Sequence, residues 1–134
     1  MNVKHFIEEK ILLFEFTEEL DHHESEKIRR RVDYEIQRFI PKRVIFDFDR
    51  VVFMDSAGIG LIIGRYKLAN MLGGKVHVTN MKQSVRKIFE MSGMQRIISE
   101  IWDKKDPVPI RKDPVPFEKR PGPQLLETKE VQYE

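Results

Sequence analysis

The chain has 134 residues, of which 40% are hydrophobic and 34% are charged, and its formal net charge is +2. This length and composition predict one domain with a substantial hydrophobic core. The balanced charge argues against nucleic acid as a partner, and the absence of cysteine excludes disulfides and thiolate chemistry.

The chain carries no sequence signal for export or for membrane insertion. Its first ten residues lack the apolar segment of a signal peptide. The longest apolar run, residues 57–64, is far too short to span a bilayer. We therefore expect a cytoplasmic protein that contacts no membrane.

The first elements read as two antiparallel strands over residues 3–9 and 10–17, joined by a tight turn. The second strand shows no clean alternation, which predicts burial on both faces. A long helix follows, with Asp21 as its N-cap and Glu24 at the spacing of a capping box. Pro41 ends that helix.

Its inner face carries an apolar stripe at helical spacing, formed by Ile28, Val32, Ile36 and Phe39. The basic run 29–31 indicates a solvated helix face rather than a binding patch.

An apolar strand over 43–49 leads into a second helix that begins at Ser56 and ends near residue 72. Gly60 and Gly64 lie on one side of this helix, and each costs about 1 kcal/mol relative to alanine. We expect a close approach of the helix to the sheet to offset that cost.

The remaining elements are a strand over 75–79, a helix over 81–91 capped by Asn80, and a short strand over 96–99. The order β-β-α-β-α-β-α-β predicts an α/β fold with a mixed central sheet of four to five strands packed with helices.

Proline divides the chain into a domain over 1–102 and an extended, Pro-rich C-terminal tail over 103–134. Six of the seven prolines lie between residues 107 and 123. Proline removes backbone donors and favours extended, polyproline-like structure. Two interpretations stay open: a disordered tail, or an arm that docks on its own domain or a neighbour. The docking residues would be Ile110, Phe117, Leu125 and Leu126.

Ser56 is the candidate functional residue, because it stands where a strand ends and a helix begins, with Asp55 before it. Unpaired N–H groups and a partial positive charge make a helix N-terminus favourable for phosphate. Ser56 is therefore either a phosphorylation site or a plain N-cap, which would contribute about 0.5–2 kcal/mol. Asp21 also begins a helix that follows a strand, so we expect it near Ser56 at one edge of the sheet.

Motifs for catalysis or cofactor binding are incomplete. Met54 stands where a hydrolase nucleophile elbow needs glycine. Gly58 and Gly60 lack the third glycine of a dinucleotide fingerprint. The histidines have no metal-ligand spacing. We expect no catalytic residue, cofactor or metal, and we interpret the acids Asp47, Asp49 and Asp55 as solvated groups at strand ends.

Residues 53–60, Phe-Met-Asp-Ser-Ala-Gly-Ile-Gly, and 63–67, Ile-Gly-Arg-Tyr-Lys, closely resemble the signature of STAS domains, the anti-sigma factor antagonists. Residues 19–23 and 89–93 also resemble that family in order and separation. The resemblance covers about residues 1–100. It is strongest to the sporulation members, which antagonise an anti-sigma-F factor.

The resemblance implies an anti-anti-sigma factor that acts as a regulatory binding protein. Its unphosphorylated form would bind an anti-sigma factor that is also a serine kinase, and so release the sigma factor. Phosphorylation at Ser56 would switch binding off, and a serine phosphatase would reset it. The partner-binding residues would be Asp21, Asp55, Ser56, Ala57, Gly58 and Ile59. We expect a monomer or weak homo-oligomer.

Two departures from the family pattern matter. Glu19 stands where the family often has glycine, which predicts an altered loop, and the tail replaces a C-terminal helix. The alternative function is a STAS-like scaffold or a module that senses a small ligand or nucleotide without phosphorylation.

Overall fold

A computed structural model describes residues 1–17, 19–101 and 130–133. Its elements are β1 (Asn2–Phe6), β2 (Ile11–Glu15), α1 (His22–Phe39), β3 (Arg43–Asp47), α2 (Ser56–Met71), β4 (Lys75–Thr79), α3 (Gln83–Met91), a 3₁₀ turn (Met94–Arg96), β5 (Ser99–Ile101) and β6 (Glu130–Tyr133). The predicted order of the first eight strands and helices is confirmed.

The sheet is mixed, as predicted, with strand order β5-β4-β3-β2-β1-β6. β1 pairs antiparallel with both β2 and β6, whereas β2, β3, β4 and β5 run parallel. The first four residues of β2 are buried, because β2 lies inside the sheet between β1 and β3. The prediction that this strand is buried on both faces is therefore confirmed.

The core is divided by the sheet. One cluster joins all three helices to one face of the sheet, with Phe14, Phe46 and Phe48 among its fully buried side chains. Successive strand residues point to opposite faces, and the other face carries a second, smaller cluster, formed by Phe6, Ile11, Leu13, Ile45 and Ile101.

The start of α1 follows the predicted local chemistry. The Asp21 side chain accepts a hydrogen bond of 2.9 Å from the Glu24 backbone N–H. The helix ends at Phe39, and Ile40 adopts a left-handed conformation with φ of 49° before Pro41. A proline disfavours helical geometry in the residue before it, which accounts for the sharp stop.

Two predictions near the C-terminal half are wrong. Asn80 does not cap α3, which begins at Gln83 after an N-cap at Lys82. Asn80 instead has φ of 61° and donates a hydrogen bond of 2.9 Å to Asp47 Oδ1. The strand expected over 96–99 is also displaced, because a 3₁₀ turn covers Met94–Arg96 and pairing with β4 begins only at Ser99.

The expected role of Gly60 and Gly64 is wrong as well. A Cβ atom built at either position would meet no heavy atom within 4 Å. The close approach occurs at Gly58, where a Cβ would lie 2.8 Å from the Leu20 carbonyl oxygen and would collide with the Met54 side chain. The glycine that the packing requires is therefore Gly58, two residues nearer the start of α2 than Gly60.

β6 lies within the segment predicted as a tail and forms an edge of the sheet beside β1. No sequence feature predicted this strand. The proposed docking residues Ile110, Phe117, Leu125 and Leu126 lie outside the described residues, so the two interpretations of that part stay open. Among the described residues, no helix combines the length and apolar character needed to cross a membrane.

Candidate functional site

The starts of α1 and α2 lie side by side. Leu20 and Met54 form an isolated parallel bridge. The Leu20 N–H donates to the Phe53 carbonyl at 3.3 Å, and the Asp55 N–H donates to the Leu20 carbonyl at 3.4 Å. These contacts confirm that the residues before both helices, and with them Asp21 and Ser56, meet at one edge of the sheet.

Ser56 is the first residue of α2, and Asp55 is its N-cap. The Asp55 carboxylate accepts a hydrogen bond of 2.8 Å from the Ala57 N–H. The interpretation of Ser56 as a plain N-cap is therefore wrong, because the preceding aspartate holds that position. The Ser56 side chain is exposed and accepts or donates no hydrogen bond among the described residues, so its hydroxyl faces solvent at the positive end of the helix.

The other residues predicted to bind a partner are buried to different degrees. Asp21, Asp55, Ala57 and Ile59 are half-buried, and Gly58 is buried. Gly58 allows α2 to approach Leu20 closely rather than offering a side chain to a partner. The accessible surface of the site therefore combines one hydroxyl, two capping carboxylates and small apolar groups.

The loop that leads into α2 is clamped by side chains from elsewhere in the fold. Glu19 Oε1 accepts hydrogen bonds from the Val52 N–H at 3.2 Å and the Phe53 N–H at 2.9 Å. The Ser84 hydroxyl donates to the Val52 carbonyl at 2.9 Å, and Lys82 Nζ donates to the Asp49 carbonyl. Glu19, which departs from the family pattern, thus fixes the loop beside Ser56.

The loop that these hydrogen bonds hold exposes two large apolar side chains to solvent beside the site. Val52 is 54% exposed and Phe53 is 52% exposed. In the sequence, Glu19 stands out only as a departure from a family pattern, and Lys82 and Ser84 carry no signal of a role at this site. Their partners are more than thirty positions away in sequence, and no local spacing signals such contacts.

The strand-end acid Asp47 has a structural role. Its Oδ1 atom accepts hydrogen bonds of 2.9 Å from both the Asp49 N–H and the Asn80 side chain. The bond to Asn80 joins the ends of β3 and β4. Asp55 is the N-cap of α2, whereas Asp49 is exposed.

Comparison with known proteins places this fold and site in a family. The model of the STAS domain matches residues 4–107. The chain therefore belongs to the STAS-domain family, as the motifs around Ser56 indicated.

Relatives within the family include anti-sigma factor antagonists. The chain is 38% identical over 88 residues to an anti-sigma F factor antagonist of Paenibacillus polymyxa, covering 66% of this chain and 75% of that protein. It is 34% identical over 76 residues to an anti-sigma F factor antagonist of Lysinibacillus sphaericus, covering 57% and 65%. Proteins of this kind are regulatory binding proteins, which confirms the prediction that the chain is not an enzyme.

Solved structures of an anti-sigma factor antagonist share this fold. The unphosphorylated form of the anti-sigma factor antagonist SpoIIAA superposes with a TM-score of 0.65 at 29% identity, covering 75% of this chain and 88% of that one. The phosphorylated form of the Bacillus cell fate determinant SpoIIAA gives a TM-score of 0.59 at 28% identity, covering 75% and 91%. The predicted STAS fold is confirmed, and the relatives support an anti-sigma factor antagonist role.

Proposed function

We propose that the chain is an anti-anti-sigma factor whose binding is switched by phosphorylation at Ser56. The unphosphorylated form binds an anti-sigma factor that is also a serine kinase, and the bound sigma factor is released. One observation carries the proposal: Ser56 presents an exposed hydroxyl at the first position of α2, while Asp55 supplies the cap. That SpoIIAA exists in phosphorylated and unphosphorylated forms supports the same switch.

The modification itself should leave the fold intact. The kinase transfers the terminal phosphoryl group of ATP to Ser56 Oγ, the hydroxyl proton is lost, and ADP leaves. The phosphoryl group adds a charge of about −1.5 to −2. The positive end of α2 stabilises that charge by about 0.3–1 kcal/mol, so the phosphorylated protein stays folded.

The same charge acts against binding. A partner that packs on Asp21, Ala57, Ile59 and the bare hydroxyl would meet a hydrated dianion between two capping carboxylates. A loss of about 3 kcal/mol at that interface weakens binding roughly a hundredfold. A serine phosphatase restores the hydroxyl and so resets the switch.

Substitution of Ser56 tests the proposal. Ser56→Asp should weaken binding to the kinase partner roughly a hundredfold, with a melting temperature close to that of the wild type. Ser56→Ala should bind the partner but gain no phosphate mass after incubation with the partner and ATP. Binding is measured by calorimetry and phosphorylation by intact mass.

The exposed serine Ser99, on β5 and away from the helix starts, offers a matched control. Ser99→Ala should bind and accept phosphate like the wild type. Equal partner binding by Ser56→Asp and the wild type would contradict the switch. Phosphate on Ser56→Ala would place the modification at another residue.

A further inference from the structure

The loop that leads into α2 exposes two large apolar side chains in succession, Val52 and Phe53. Each is more than half exposed, and neither belongs to either core cluster. Single exposed apolar residues are common on protein surfaces. Among the residues that the structure describes, however, this is the one pair of large exposed hydrophobic residues that are adjacent in sequence. The core does not account for these two side chains.

The backbone of this pair is bonded to residues at the starts of two helices. Before α1, Glu19 Oε1 accepts both N–H groups of the pair, and the Leu20 N–H donates to the Phe53 carbonyl. In the first turn of α3, the Ser84 hydroxyl donates to the Val52 carbonyl. The pair is therefore held in one conformation with its side chains in solvent. Such preorganisation lowers the entropy cost of binding a partner.

The residues next to the pair are polar. Asp49 and Arg50 precede it in the loop, and Lys82 Nζ donates to the Asp49 carbonyl. These three side chains and that of Ser84 are exposed. An apolar centre with a polar rim is the usual composition of a protein–protein interface, and phenylalanine is enriched in such centres.

The pair is also close enough to Ser56 to share one interface with it. An extended chain spans at most about 3.6 Å per residue, so Phe53 lies within about 11 Å of Ser56 and Val52 within about 14 Å. A standard interface covers about 800 Å² on each partner, which is the area of a disc of about 16 Å radius. A protein partner centred on Ser56 therefore reaches both apolar side chains.

We propose that Val52 and Phe53 form the apolar anchor on which the anti-sigma kinase docks, through an apolar pocket of that partner. The inference rests on the proposed function, because the partner is the protein that phosphorylates Ser56. The anchor supplies affinity by burying apolar surface, whereas phosphorylation of Ser56 acts through charge. Docking and switching thus depend on different residues of the same surface.

Calorimetry of the full chain with its cognate anti-sigma kinase tests the anchor. Phe53→Ser should weaken binding at least about tenfold, and Val52→Ser about threefold, because buried aromatic anchors dominate interface energies. Phe53→Leu keeps most of the apolar surface and should bind within about threefold of the wild type. All three variants should melt close to the wild type, because both side chains lie outside the core clusters.

Ile7 offers a matched control. It lies in the turn between β1 and β2, at the opposite edge of the sheet from the helix starts, and is similarly exposed. Ile7→Ser removes a β-branched apolar side chain like that of Val52 and should bind the partner like the wild type.

Phosphorylation kinetics give a second measurement. With the kinase and ATP, Phe53→Ser should raise KM for the full chain and leave kcat within about twofold, because an anchor binds the ground state and the transition state equally. A fall in kcat with unchanged KM would overturn the docking role.

The anchor and the switch can fail separately. Unchanged binding by Phe53→Ser, with weakened binding by Ser56→Asp, would overturn the anchor and leave the switch in place. Weakened binding by Phe53→Ser, with unchanged binding by Ser56→Asp, would support the anchor and contradict the switch. Equal weakening by Ile7→Ser and Val52→Ser would overturn the anchor. So would sedimentation showing that Phe53→Ser abolishes self-association of the chain without weakening kinase binding, since the occupant would then be a second copy.

Discussion

Gly58 shows how the lack of one side chain positions the site. The Leu20 carbonyl that would lie 2.8 Å from a Cβ at position 58 is the same group that accepts the Asp55 N–H. A larger residue would have to displace the Leu20 backbone as well as the Met54 side chain. The juxtaposition of the two helix starts therefore depends on this position.

Gly58→Ala should destabilise the protein by about 1–3 kcal/mol, because overpacking forces backbone to move. Gly60→Ala is the matched control: it lies in the same helix, meets no neighbour, and should be neutral or stabilise by up to about 1 kcal/mol. Urea unfolding of both variants measures the difference. Similar stabilities for the two would refute the packing role of Gly58.

Single-residue features were predictable from sequence where the hydrogen-bond partners are close together in the chain. The Asp21 cap was found because its partner, Glu24, is three residues away. Asp55 and Ser56 are both good capping residues in adjacent positions, so spacing could not choose between them. Asn80 was misread because its side chain finds Asp47 on another strand.

At the scale of elements, the loop before α2 is held in place by a side chain from outside the loop. Its two exposed apolar residues, Val52 and Phe53, have backbone N–H groups held by one carboxylate, Glu19. Hydrogen bonds to a charged group contribute about 1.5–3 kcal/mol each. The loop therefore presents Val52 and Phe53 in a fixed conformation next to Ser56.

Glu19→Ala should release this loop while leaving the sheet unchanged. We expect amide hydrogen exchange at Val52 and Phe53 to accelerate by at least about tenfold, the factor that corresponds to 1.4 kcal/mol. Glu19→Gln keeps an acceptor without the charge and should give an intermediate rate. Unchanged exchange in Glu19→Ala would show that Ser84 and Lys82 hold the loop without Glu19.

Element types were predictable because their apolar periodicity is strong, but two boundaries were not. Ile97 and Ile98 resemble a strand in sequence, yet the chain first makes a 3₁₀ turn that buries Met94. The start of β5 is set by pairing with β4, with His77 opposite Ser99. Register between strands depends on distant partners, which one sequence does not display.

At the scale of the whole molecule, β6 pairs with β1 and forms the outermost strand of the sheet on that side. Val3 pairs with Tyr133 and Phe6 with Glu130 in an antiparallel ladder. An unpaired edge strand exposes backbone donors and acceptors to other chains. This strand could not be predicted, because it is short and follows a Pro-rich segment.

Deletion of residues 130–134 should therefore expose β1 without unfolding the domain. We expect faster hydrogen exchange at the β1 amides that face β6, and unchanged exchange in β3 and β4, which lie inside the sheet. Val131→Pro, which removes a backbone donor from β6, should produce a smaller effect of the same kind. Equal protection of β1 in the full and shortened chains would contradict this pairing.

The position of β6 has a consequence for the timing of folding. The pairs between β1 and β6 join residues 124 to 130 positions apart, and contacts so distant in sequence form late because they close the longest loop. The contacts that position the Ser56 site link residues 19–20 with 52–55 and 82–84 with 49–52. A nascent chain that has emerged as far as Ile101 thus carries every described contact of the site. We expect the surface around Ser56 to be folded while the chain is still on the ribosome. At that stage the outer edge of β1 is still unpaired.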